Sequence, residues 1–117
     1  MTTTTTMTTI VSRVQVVSYL HGKSVIHRDI KPRNITYDLQ KQRAVLIDYD
    51  IALYFGPSED DPEGKPPTGE VGTRGYKAPE LDAVTPYDTF ADIWSLGISL
   101  AEIVGFLFPL LFPLLPS

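Results

Sequence analysis

The stretch His27-Arg28-Asp29-Ile30-Lys31-Pro32-Arg33-Asn34 gathers a base, cations, a metal-capable oxygen and a proline into eight residues. Asp29, Lys31 and Asn34 bring a carboxylate, an ammonium and an amide, three polar groups of different kinds. Pro32 fixes its own φ and pushes Lys31 toward an extended conformation. The stretch therefore reads as a rigid loop, neither helix nor strand, that holds side chains in fixed positions. The competing reading is a polar surface turn, since short motifs recur by chance. The rest of the chain decides between them.

The surrounding elements have to position that loop. Residues 10–21 place Ile10, Val11, Val14, Val17 and Leu20 at spacings that include three and four, which fits a partly buried helix, although the valines also allow a strand. Gly22 is a helix stop, and Val25 and Ile26 lead into the octet. Residues 35–37 read as a short strand, 38–43 as a polar turn and 44–47 as a second, mostly buried strand. Such a hairpin puts Asn34 at the start of one strand and Asp48 at the exit of the other, so two oxygens can converge on one cation. Residues 56–72 hold Pro57, Pro62, Pro66, Pro67, Gly64, Gly69 and the acidic run Glu59-Asp60-Asp61, and read as a long loop. Residues 80–82 read as a short helical turn, and Thr85-Pro86-Tyr87 as another turn. Residues 88–102 read as a helix with Phe90, Ile93, Trp94, Leu96, Ile98 and Leu100 on most sides, which belongs in the middle of a larger domain.

Composition narrows the classes. A chain of 117 residues, 43% hydrophobic, is one domain with enough apolar content for a core. A net charge of -4 and a pI of about 5.0 give no support for nucleic-acid binding. The absence of cysteine excludes disulfides, cysteine zinc sites and thiol catalysis. Residues 1–9, MTTTTTMTT, have neither a basic nor an apolar signal region and read as a disordered Thr-rich start. Residues 103–117 are almost wholly apolar and repeat Phe108-Pro109-Leu110-Leu111 as Phe112-Pro113-Leu114-Leu115. The uncharged run is shorter than the about 20 residues a membrane span needs, and prolines interrupt it. It reads as a core segment or a non-native end, and a membrane is not expected as a partner.

The octet, then Asp48-Tyr49-Asp50, then Gly72-Thr73 with Ala78-Pro79-Glu80, then Asp92-Ile93-Trp94-Ser95-Leu96-Gly97 follow in order. In these landmarks the chain resembles the eukaryotic protein kinases over about residues 14–105. The resemblance implies an α+β fold, a partial kinase-like large lobe made of helix, catalytic loop, β-hairpin, activation segment and central helix, with the small lobe absent. The implied division is a disordered start at 1–9, a partial kinase domain at 10–105 and an apolar tail at 106–117.

The resemblance also implies roles. ATP and Mg2+ would be the cofactors, and phosphoryl transfer to a Ser or Thr hydroxyl of a protein substrate the reaction. Asp29 would accept or orient the hydroxyl proton, Lys31 would neutralise charge on the transferred phosphate, and Asn34 and Asp48 would hold magnesium. Lys31 and Thr73 resemble the serine/threonine-specific branch. Arg28 resembles kinases switched by activation-loop phosphorylation, with Thr68 nearest the usual position for an upstream kinase to act on and Glu70 an alternative constitutive charge. Ser58, before Glu59-Asp60-Asp61, looks like a substrate of an acidophilic kinase. His27 and Tyr49 are expected to stack in the core, Asp92 to accept backbone N–H groups of the catalytic loop, and Glu80 to be a buried carboxylate at the end of the activation segment. An intracellular protein, cytoplasmic or nuclear, follows from the same resemblance.

Departures from the family pattern are as informative. Asp50 stands where the family has glycine, and aspartate tolerates positive φ better than most residues. No Gly-x-Gly-x-x-Gly occurs, Lys23 is the sole lysine before Asp29, no glutamate precedes Glu59, and no arginine follows Arg74 to pair with Glu80. The expectation is a piece of a kinase domain whose isolated activity is low. The alternative is a catalytically inactive kinase-like binding module.

Overall fold

A computed structural model of the chain describes residues 3–60, 62–63, 67–82 and 84–111, with side chains from residue 6 to 106. Asp61 of the acidic run, Gly64 and Pro66 of the long loop, and the tail from residue 112 lie outside the described residues.

The element order is helix α1 (Thr3–Gly22), β1 (Val25–Ile26), β2 (Ile35–Asp38), β3 (Arg43–Leu46), β4 (Leu53–Tyr54) and helix α2 (Phe90–Leu111). The class is α+β, with two helices and two small antiparallel sheets. The expected hairpin is β2–β3, in register Ile35↔Leu46 through Asp38↔Arg43. Asp38 makes its turn by accepting the N–H groups of Gln40 and Lys41 at 2.9 and 3.1 Å. The second pairing, β1 with β4, joins Val25 to Tyr54 and Ile26 to Leu53. Two-residue strands leave no period to read, so the sequence did not reveal it.

Three expectations change. The Thr-rich start is helical from Thr3, where disorder was expected. Isolated threonines are poor helix formers, but here side-chain bonds within the helix and one tertiary bond to the hairpin accompany them. Thr9 Oγ1 donates to Thr6 O at 2.8 Å, and Arg13 ties Thr9 O (3.0 Å) to Ile35 O (3.1 Å). Burial pushes the Arg13 guanidinium below its ordinary pKa, partly opposed by Tyr37. Second, α2 begins at Phe90, with Asp88 outside it as a cap accepting Phe90 N at 2.8 Å, and runs to Leu111, past the expected end at 102. Third, α2 is not enclosed: Phe90, Ile93, Trp94, Ile98, Val104 and Phe106 are exposed. No helix among the described residues is long and apolar enough to cross a membrane.

Two apolar clusters hold the octet. Ile30 packs with Val17, Ile35, Leu46 and Leu96, joining α1, the hairpin and α2. Ile26 packs with Ala78, Leu81, Tyr87 and Ala91, joining β1 to the approach of α2. Both isoleucines are fully buried. Each contributes about 1.5–3 kcal/mol. The polar residues 27–29 are thus suspended between two hydrophobic anchors.

Candidate active site

Asp92 organises the loop from below. Its carboxylate is fully buried and accepts His27 N (2.8 Å), Arg28 N (2.9 Å) and His21 Nε2 (2.8 Å). These donors account for its burial, which an unpaired carboxylate would not tolerate. Arg28 sits at φ 72, a left-handed conformation that costs a non-glycine residue about 1–3 kcal/mol. Its surroundings hold it there. Nε donates to Ile51 O at 2.7 Å and Nη1 to Tyr87 Oη at 2.9 Å. Gly72 lets the chain pass close to its carbonyl, since a Cβ at residue 72 would lie 2.9 Å from Arg28 O.

His27 is buried and spends both ring nitrogens. Nδ1 accepts Asp29 N at 3.1 Å, so Nε2 carries the proton given to Ile47 O at 2.9 Å. It is a positioning ring. Tyr49 meets it edge-on, centroids 5.1 Å apart. Tyr49 is nevertheless 47% exposed, so the expected core stack buries only one of the two rings. Partial desolvation raises the Tyr49 phenol above its ordinary pKa.

The polar cluster lies above this floor. Thr73 Oγ1 donates to Asp29 Oδ1 at 2.5 Å and accepts from Lys31 Nζ at 2.9 Å. Lys31 Nζ also lies 3.9 Å from Asp29 Oδ2. Asn34 is buried, and its Nδ2 donates to Asp29 O at 2.9 Å. A carboxylate, a hydroxyl and an ammonium are therefore assembled within bonding distance, from segments 42 to 44 residues apart. Such an arrangement can accept a hydroxyl proton while a cation offsets negative charge.

Asp48 is placed differently. Ile47 N donates to Asn34 O at 2.8 Å, which brings residues 34 and 48 to the same end of the hairpin. Asp48 itself is exposed at φ 61, with Oδ1 3.4 Å from Asp50 N. The positive φ of this segment thus falls on Asp48 and not on Asp50, the residue whose tolerance of it was at issue. No group of three or more His, Cys, Asp or Glu is poised to hold a metal among the described residues.

The residues expected in an activation segment divide. Thr73 is in the cluster, Thr68 is exposed, and Glu80 is half-buried instead of buried. Glu70 pairs with Lys77 at 2.8 Å, so the alternative charge for Arg28 goes elsewhere. Tyr76 Oη donates to Glu102 Oε2 at 2.5 Å, and Ser95 Oγ donates to Tyr76 O at 2.6 Å, clipping the segment to α2. The Glu102 bond chiefly raises the Tyr76 pKa. Sequence reasoning missed His21 and Tyr87. His21 carried a weak signal, as a histidine in the last turn of a helix; Tyr87 carried none.

Residues 1–111 match the family model for the protein kinase domain. The chain belongs to that family. It is 40% identical over 92 residues to a probable serine/threonine-protein kinase of Dictyostelium discoideum, covering 78% of this chain and 14% of that protein. It is 39% identical over 87 residues to a rhodopsin kinase of Danio rerio, covering 74% and 15%. It is also 39% identical over 88 residues to a probable casein kinase II subunit alpha homolog of Encephalitozoon cuniculi, covering 74% and 26%. The chain thus spans about a quarter or less of the length of these relatives.

Proposed function

We propose that this chain is the catalytic-loop part of the large lobe of a serine/threonine protein kinase, serving phosphoryl transfer from Mg-ATP to a Ser or Thr hydroxyl of a protein. The observation that carries the reading is Thr73 Oγ1 on Asp29 Oδ1 at 2.5 Å with Lys31 Nζ on the same hydroxyl at 2.9 Å. A hydroxyl is held against a carboxylate as an attacking hydroxyl would have to be, with a cation alongside.

In this reading Asp29 takes or orients the proton of the attacking hydroxyl, and Lys31 offsets charge on the transferred group. Asn34 and Asp48 would hold magnesium. They fit it, because hard oxygens from one carboxylate and one amide suit an ion that takes its other ligands from water and phosphate. The Asn34 amide nitrogen is committed to Asp29 O, which fixes how the amide is turned. Bound magnesium would neutralise charge developing on the phosphates. Thr68 is exposed and is the proposed residue for an upstream kinase. ATP is an intracellular donor, so cytoplasm or nucleus is the proposed location.

No glycine-rich loop or paired ATP lysine and glutamate occurs in these 117 residues. The isolated chain is therefore expected to bind Mg-ATP weakly and to transfer little phosphate. The exposed apolar residues of α2 favour a second reading, an inactive binding module. Manganese with ATP, followed by NMR on the purified chain, tests the first. Paramagnetic broadening should centre on Asn34 and Asp48 and disappear in Asp48→Asn. Broadening elsewhere, or unchanged in Asp48→Asn, rejects the site. Robust phosphorylation by the chain alone, lost in Asp48→Ala, rejects the expected low activity.

A further inference from the structure

Tyr87 lies outside every motif, yet it touches the loop, the activation segment and the approach to α2. It is 4% exposed and packs with Ile26, Ala78, Leu81 and Ala91. A buried phenol needs a partner for its hydroxyl. Arg28 Nη1 supplies one, at 2.9 Å. The Tyr87 main-chain N–H donates to Pro67 O at 3.0 Å. One residue thereby ties Arg28 to the start of the segment that carries Thr68 and Thr73.

We propose that Tyr87 is a positioning residue for the phosphoryl-transfer site, acting through Arg28 on Asp29; this rests on the reading of Asp29 given above. Arg28 occupies a left-handed conformation at φ 72, and such a conformation persists only when neighbours over-determine it. Asp92 holds its backbone at the N–H. Ile51 O and Tyr87 Oη hold its guanidinium. Removing the Tyr87 hydroxyl takes an acceptor from a part-buried cation and frees the side-chain end. The peptide that follows is the one that aims Asp29 at Thr73, so relaxation of Arg28 is felt first at that 2.5 Å bond. No phosphate is needed for this tether, because the acceptors are a phenol and a carbonyl.

The test uses the whole chain, isotopically labelled, as wild type, Tyr87→Phe and Tyr54→Phe. Tyr54 is a control, since its hydroxyl is exposed and donates to Pro57 O. Tyr87→Phe should shift the Arg28 Nε–Hε, Asp29 and Thr73 resonances and speed exchange of the Arg28 Nε proton about 10-fold, while the melt stays cooperative. Tyr54→Phe should leave those resonances in place. In an Arg28→Lys background, Tyr87→Phe should produce no further change at Asp29. Unmoved Asp29 and Thr73 resonances overturn the proposal. So do equal shifts in the Arg28→Lys background, or unfolding of Tyr87→Phe, which would make the hydroxyl a folding contact. These readouts need no transferase activity, so their outcome is separable from that of the manganese experiment.

Discussion

Residues 27–34 and residues 47–51 meet at Ile47, whose N–H donates to Asn34 O and whose carbonyl accepts from His27. The first segment is clamped at His27, Arg28 and Asp29, by Asp92 beneath, Tyr87 and Ile51 at the side, and Thr73 above. The second leaves Asp48 in solvent, with a single long contact to the nearby Asp50 N. The groups proposed to handle the proton are thus built by the fold. Of the two groups proposed to meet the metal, Asn34 is fixed with the loop, and Asp48 is only brought to the right end of the hairpin. Pre-organisation is spent where a hydroxyl must be oriented, and a cation with its own phosphate ligands can recruit Asp48 on arrival.

The sharpest way to break this contrast is to exchange the burdens. Asp92→Ala removes a buried acceptor from two backbone N–H groups and His21. It should destabilise the chain by about 3 kcal/mol or more, read from the urea midpoint. Asp48→Ala should change the same midpoint by no more than about 0.5 kcal/mol, although it removes a charge from the same site. Equal losses would mean that the two carboxylates carry the fold alike. Gly72→Ala comes next. At φ 106 its Cβ would press on Arg28 O at 2.9 Å. A cost of about 1–3 kcal/mol is expected, with the Arg28 and Asp29 resonances displaced and those of Asp48 and Asp50 unmoved.

How much of this was legible depended on whether a residue announces its partner. Asp29, Lys31, Asn34 and Asp48 stand in short order with a hairpin pattern between them, and Ile35↔Leu46 pairs as the alternating apolar residues require. Asp92 was legible through its place in a motif. Tyr87 was not, and His21 only faintly, as a histidine in the last turn of a helix, because their partners lie 59 and 71 residues away. The helical Thr-rich start was hidden for a related reason. Propensity argued against it, while Arg13 ties the helix to Ile35 O, 22 residues on.

The smallest effect concerns the clip between Tyr76 and α2. The Glu102 hydrogen bond favours the neutral Tyr76 phenol, so its folded pKa is raised. That contribution is fully present below the ordinary phenol pKa of about 10 and is lost as pH rises through the raised folded value. In a phenolate absorbance titration, Glu102→Gln should bring Tyr76 back toward the ordinary value and leave the Asp29 resonance where it was. A coupled shift at Asp29 would join the clip to the clamped loop.

Backbone amide exchange in the wild-type chain tests the contrast most directly, residue by residue. His27 and Arg28 donate to the buried Asp92, whereas Asp50 donates to an exposed carboxylate. The His27 and Arg28 amides should therefore exchange at least about 100-fold more slowly than the Asp50 amide, relative to unstructured rates. Comparable protection across the two segments would contradict a loop built in advance beside a metal ligand left to be recruited.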